Sequence, residues 1–238
     1  MRLIELYDHA ERKHAVNVGM RREALPGLVR YVDLVGDSST VLYSRLDERS
    51  IDSAIEEQKT YFAKLGHELE WKAYSHDTPR DLIDRLRTHG FVIDEREAIV
   101  VLDLESPQGA ALSEQPTPAV RQVSDPQQVP ERIRDELRAS PGTLSVYIAE
   151  VDGLTVAHGW ARFPPESRFA SLWGGETLPQ FRNRGLYTQL VRARVQEARA
   201  RGYRYVTVDA RSTSRPILER RGFQILTWAT ACTLPPPG

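Results

Sequence analysis

The chain has 238 residues, with 32 Lys and Arg against 33 Asp and Glu, for a net charge of −1. So even a balance gives no overall basic field to recruit nucleic acid or an anionic membrane, and no apolar run approaches the ~20 residues that cross a bilayer. A single cysteine, Cys232, excludes an internal disulfide, and Glu5 and Asp8 interrupt any apolar core of a signal peptide, so a reducing, cytoplasmic setting is expected.

In chain order, Leu28 to Tyr43 offers early strands with only weak alternation. Ile51 to Leu65 is predicted helical through Ile51, Ala54, Ile55, Phe62 and Leu65, and Gly66 closes it. Leu69 to Tyr74 alternates as a strand, and His76-Asp77-Thr78-Pro79 opens a helix over 81–88 that Gly90-Phe91 ends. Ala98 to Leu104 is the next strand. The Pro-, Gly-, Ser- and Gln-containing stretch that follows has no periodicity and reads as a linker, dividing the chain into 1–106, a linker at 107–118, and 119–238.

In the second half, Ser124-Asp125-Pro126 starts a predicted helix that runs to about Ala139. Leu144 to Val151 and Leu154 to Phe163 pair through the two-residue turn Asp152-Gly153, and Arg168 to Leu178 forms a third strand. Then comes Pro179-Gln180-Phe181-Arg182-Asn183-Arg184-Gly185-Leu186-Tyr187-Thr188, leading into an amphipathic helix. Leu186, Leu190, Val191 and Val195 mark its inner face, Arg192, Arg194, Arg199 and Arg201 take the others, and Gly202 is the stop. Tyr203 to Val208 is a strand, Ser214 to Arg221 a short helix, Gly222-Phe223 its end, and Gln224 to Leu234 the final strand. A Gly at a helix mouth lets an anion approach the first free N–H groups and the positive dipole end, and Thr188 adds a hydroxyl. The stretch is a strand–turn–helix suited to phosphate, but it is neither GxxxxGK[ST] nor GxGxxG.

Arg182-Asn183-Arg184-Gly185-Leu186-Tyr187 resembles the R/Q-x-x-G-x-G/A motif A of the GNAT acetyltransferase superfamily, with Tyr187 where Gly or Ala is usual. Arg215-Pro216-Ile217-Leu218-Glu219-Arg220-Arg221-Gly222-Phe223 resembles its motif B. The likeness covers roughly Thr143 to Thr233. It implies an α/β (α+β) fold in which a mixed, mostly antiparallel twisted sheet is flanked by helices. It also implies that Leu178, Arg182, Asn183, Arg184, Gly185, Leu186, Tyr187 and Thr188 bind acetyl-CoA as co-substrate, without a metal. Helix, Gly, strand, helix, Gly-Phe and strand also occur in the first half, with Gly66 and Gly90 answering Gly202 and Gly222. The chain therefore reads as two GNAT-like acyl-CoA N-acyltransferase domains in tandem. The first is degenerate: Arg45-Leu46-Asp47-Glu48-Arg49-Ser50 has no Gly, and its carboxylates compete with phosphate.

The resemblance implies direct transfer of acetyl from the thioester to an amine. Glu176, in Trp173-Gly174-Gly175-Glu176, is the candidate base, with desolvation beside Trp173 expected to tune it; His158 is the second candidate. Backbone N–H groups around Leu178 are expected to hold the oxyanion. The family's motif B tyrosine is replaced by Leu218, which leaves water or Tyr187 to protonate the thiolate. Arg211 and Arg215 are further phosphate candidates, and Cys232 reads as a buried apolar residue. The expected function is an N-acetyltransferase acting on a small-molecule or peptide amine; the alternative is a non-catalytic CoA-binding sensor or regulatory module. A tRNA-dependent aminoacyl transferase is disfavoured by the neutral charge and the surviving phosphate motif. No nucleic acid or membrane partner is expected, and a homodimer is a possible assembly.

Overall fold

The structure is a computed structural model that describes residues 2–114, 117–129, 131–140 and 142–236, and Arg132 by its backbone alone. It divides into two units, Met1–Ala98 with Leu226–Gly238, and Ile99–Ile225.

The first unit begins with helix α1 (Leu3–Tyr7), which runs into a π-helical turn at Asp8–Lys13. Strands β1 (Met20–Leu25), β2 (Leu28–Asp33) and β3 (Ser38–Ser44) form an antiparallel meander. Helix α2 (Ile51–Leu65) crosses over to β4 (Glu68–Tyr74), which lies parallel to β3; α3 (Leu82–Thr88) and the short β5 (Val92–Ile93) follow. The core of this unit gathers Val41, Ile55, Phe62, Leu69, Trp71 and Leu86, all 1 % exposed or less. The π-helical turn supplies a fully buried Arg12. Its guanidinium makes two 2.8 Å bonds to Asp77, a third to Asp8, and stacks on Tyr74 at 3.8 Å. A charge that far from water persists only with partners of this quality.

The second unit contains β6 (Glu97–Asp103, from Ile99 onward), α4 (Pro107–Ser113), β7 (Val120–Val123) and α5 (Arg134–Ala139). It continues with β8 (Leu144–Val151), β9 (Leu154–Arg162), β10 (Phe169–Thr177), α6 (Leu186–Ala200), β11 (Tyr205–Ala210) and α7 (Arg215–Glu219). Its strands lie in the order β6-β11-β10-β9-β8-β7, with β10 and β11 parallel and β7 to β10 antiparallel in turn. The last strand, β12 (Gln224–Leu234), belongs from Leu226 onward to the first unit, where it pairs with β4 and β5. Each unit is thus a mixed, mostly antiparallel sheet with helices beside it. Among the described residues no helix is long and apolar enough to cross a membrane.

The expected hairpin turn is present, with Asp152 and Gly153 both left-handed at φ 52° and 76°. Other expectations change. The linker region holds α4, because the Ser106 hydroxyl caps the Gly109 N–H, Pro107 stands at the first helical position and Leu112 is buried. Glutamine 115 and Pro116 of that linker lie outside the described residues. The helix expected over 124–139 is broken into 3₁₀ turns at Pro126–Gln128 and Glu131–Ile133 before α5, and Val129 between them takes extended backbone that no helix can continue through. The strand expected from Tyr203 is set later, at Tyr205–Ala210.

Candidate functional site

Helix α6 buries Leu186, Leu190, Val191, Ala193, Val195 and Ala198 against the sheet, which fixes the position of its N-terminus. Ahead of it, Pro179–Phe181 makes a 3₁₀ turn, and Asn183 (φ 62°) and Gly185 (φ 77°) both take left-handed backbone. Asn tolerates that region and Gly adopts it freely. Gly185 is the helix cap, and no side chain caps the first turn. A Cβ built on Gly185 would meet no atom within 4 Å, so the helix mouth faces open space.

That space is a cleft of about 490 Å³. Arg182, Asn183, Gly185, Leu186, Tyr187 and Thr188 line it, with Gly175, Glu176 and Thr177 from the strand side and Thr213, Ser214, Arg220 and Arg221 from the α7 side. Two residues expected at the site, Leu178 and Arg184, do not line it; Arg184 lies over the Phe181 ring and bonds to the Gln180 carbonyl. The Leu178 N–H is moreover committed to the Val156 carbonyl at 2.9 Å, so it is no oxyanion donor.

The better opening lies a few residues earlier. Trp173 pairs with Trp160 and Glu176 with His158, so Gly174 and Gly175 together oppose Gly159 and the ladder is interrupted by a bulge. No other residue fits there. A Cβ on Gly174 would stand 1.8 Å from the Trp160 ring, one on Gly175 2.7 Å from the Tyr187 ring, and one on Gly159 2.8 Å from Arg194. The large Tyr187 at a position where the motif usually has Gly or Ala is therefore accommodated by the missing side chain of Gly175.

Arg194, expected on an outer face of α6, is instead fully buried beneath this bulge. Its guanidinium donates to the Trp160 and Trp173 carbonyls, each at 3.1 Å, and to the Leu190 carbonyl at 2.9 Å. The Trp160 and Trp173 carbonyls flank the bulge, and together with the Leu190 carbonyl they satisfy a buried arginine that has no carboxylate. Burial pulls its pKa down to about 10, and the Tyr187 and Tyr147 hydroxyls oppose that pull. Burial likewise raises the pKa of Tyr187, against the Arg194 charge and a hydrogen bond with Ser214.

The two acid–base candidates form a cross-strand pair, with His158 Nε2 and Glu176 Oε2 3.7 Å apart. Glu176 lines the cleft, and its side chain is 62 % exposed, so the desolvation expected beside Trp173 is absent. His158 stands behind it, 22 % exposed and stacked parallel to Trp160. The hydroxyl of Thr177 is buried without a partner among the described residues, although the residue lines the cleft. Thr213, Ser214, Arg220 and Arg221 were not legible as site residues, since only the fold brings α7 to the mouth of α6. Arg211 and Arg215 do not line the cleft. Cys232 is buried in the first unit with its thiol pushed up to about 12, in keeping with a structural role. Among the described residues no cluster of side chains is suited to a metal.

Residues 109–223 match the family model described as acetyltransferase (GNAT) family. No curated protein matches the chain. Among solved structures, it is similar to a GCN5-related N-acetyltransferase from Kribbella flavida (TM-score 0.66, 17 % identity, covering 92 % of this chain and 91 % of that one). A functionally unknown conserved protein from Staphylococcus epidermidis is comparable (TM-score 0.66, 13 % identity, 93 % and 96 % covered). A tandem GNAT protein from the clavulanic acid biosynthesis pathway also aligns (TM-score 0.56, 11 % identity, 87 % and 78 % covered). At such identities these likenesses speak to the fold.

Proposed function

Because the chain belongs, through residues 109–223, to the GNAT acetyltransferase family, we propose that it is an acetyl-CoA-dependent N-acetyltransferase acting on a primary amine of a small molecule or peptide. The observation that carries the reading is the uncapped mouth of α6 opening on the cleft. The first unit makes the contrast. There Asp47 Oδ1 accepts the Arg49 and Ser50 N–H groups ahead of α2, and the Asp47 carbonyl accepts that of Ile51. With the N–H groups that lead into the helix already served by Asp47, a phosphate finds fewer donors there, which supports a first copy without a cofactor site. The second copy leaves the corresponding groups, and the Thr177 hydroxyl, for a ligand.

The thioester supplies the acetyl group and departs as a thiol. Arg182, Asn183 and the Gly185–Thr188 backbone hold the pyrophosphate, which places the acyl end toward the bulge. Glu176, solvent-reachable and backed by His158, takes the proton that leaves the attacking amine. The new C–N bond forms as the C–S bond breaks, and Tyr187 donates its hydroxyl proton to the departing sulfur. Arg194 beneath the ring then stabilises the phenolate. Leu218, fully buried, cannot act.

Release of free thiol from acetyl-CoA across a panel of amines tests this directly. Amine-dependent release supports the enzyme. The replaced motif B tyrosine favours a second reading, a non-catalytic CoA-binding module, and tight CoA binding with no amine-stimulated release would establish that reading instead.

A further inference from the structure

Once the phosphate loop has taken Arg182, the α7 side of the cleft still carries two arginines, Arg220 and Arg221. Neither has an acidic partner among the described residues. Arg192 of α6 does not line the cleft but lies close enough to Arg221 for the two charges to repel. Burial first, and the Arg221 charge second, hold the Arg192 pKa below its usual value. The Arg192 Nε is buried without a hydrogen-bond partner among the described residues. Three other arginines of this unit make a contrast: Arg162, Arg201 and Arg204 are each closed onto a carboxylate within 3 Å. The acidic residue that lines the cleft, Glu176, comes from the strand side.

Like charges gathered without a counterion cost free energy in the empty protein, and an anion with several oxygens relieves them. The pyrophosphate is accounted for by the mouth of α6. Resting on the acetyl-CoA reading above, the ligand has one further anionic group, the ribose 3′-phosphate. We propose that Arg220 and Arg221, reinforced by the charge of Arg192, form a phosphomonoester subsite that selects 3′-phosphorylated CoA over dephospho-CoA. The planar guanidinium suits this task, since paired N–H groups match phosphate oxygens.

Titration calorimetry of the full chain with CoA and with dephospho-CoA tests the subsite without knowledge of the acceptor. Wild-type protein is expected to bind CoA about 10- to 100-fold more tightly, the scale of one net charge-assisted hydrogen bond. In R192Q/R221Q the two ligands are expected to bind alike, at the wild-type affinity for dephospho-CoA, and R220Q/R221Q serves as the second variant should the first not fold. Equal affinities in the wild type would overturn the subsite while leaving the acetyl-CoA reading intact. Preference for CoA that survives in both variants would overturn its assignment to these arginines. Failure of both ligands to bind the wild type would defeat the acetyl-CoA reading itself, and the subsite with it.

Discussion

Replacing Gly185 separates charge from space at the helix mouth. Its φ is 77° and a Cβ there would touch nothing within 4 Å, so alanine costs only the left-handed backbone, about 1–2 kcal/mol. For a chain of this size that lowers Tm by about 2–8 °C. Glutamate has the same backbone cost and adds a carboxylate. At about 5 Å from each phosphate charge, with an effective dielectric between ~80 and ~20, the repulsion is about 1–3 kcal/mol per phosphate. Two phosphates make about 2–6 kcal/mol, which weakens CoA binding by about 30-fold to 10⁴-fold. Gly185→Lys is the control, having the same backbone strain and greater bulk with the opposite charge. Calorimetry with CoA and thermal unfolding of all three variants provide the measurements. The expected order of affinity places lysine and alanine near wild type and glutamate far below, with similar Tm values throughout. Equal CoA affinity in the glutamate and alanine variants would refute the phosphate assignment, and an equal loss in lysine and glutamate would show that bulk, not charge, decides.

Gly174→Ala should behave quite differently. With φ 58° and a Cβ 1.8 Å from the Trp160 ring, it is expected to lose about 2–5 kcal/mol of stability, visible as a much larger fall in urea midpoint than Gly185→Ala gives. Glu176→Gln and Tyr187→Phe should each lower kcat by about 10²–10⁴ with CoA affinity unchanged, and a Tyr187→Phe enzyme of full activity would remove that residue from proton delivery. Burial raises the Asp8 carboxyl, but hydrogen bonds from His76 and Arg12 and the Arg12 charge outweigh it, so its pKa lies below the usual value. The stability this contributes is complete above the unfolded value near 3.9 and fades as pH falls through the lower folded one. The gap in urea midpoint between wild type and Asp8→Asn should therefore hold from pH 7 to 5 and shrink toward pH 3; a gap independent of pH would contradict the pairing. Cys232, with its thiol pushed up to about 12 and fully buried, should react with a thiol reagent only after unfolding, and rapid labelling of native protein would count against its burial.

Where structure follows from neighbours in the chain, the residues announce it. Ile51 to Leu65 and the last strand at Gln224 to Leu234 fall within the bounds their patterns predict, and Gly66, Gly202 and Gly222 each take the left-handed backbone that a helix stop asks for. The turn ahead of α6 is legible for the same reason: its left-handed Gly185 and the helix start are carried by a few consecutive residues. Partners distant in sequence defeat such reasoning. Arg194 looks like any surface arginine of an amphipathic helix until the glycines of two strands, Gly159 and Gly175, open room for it. Arg12 is buried by Asp77, which lies 65 positions away, and its π-helical turn carries no periodic signal. Glu176 lines the cleft but is exposed where desolvation was expected, because exposure depends on what the fold leaves uncovered.

The assignment of Leu226–Gly238 to the first unit has a consequence for synthesis on the ribosome. Ile99–Ile225 is a continuous segment, so that unit can close as soon as it has emerged. The first unit cannot: β4 ends at Tyr74, and its partner on one side, β12, ends at Leu234. At about 5–20 residues per second the interval between them lasts roughly 10–30 s. Throughout it, the edge of a strand bearing Leu69, Trp71 and Ala73 lacks its neighbour, the kind of exposed edge that attracts chaperones or other nascent chains. The half of the molecule made first is thus the half completed last.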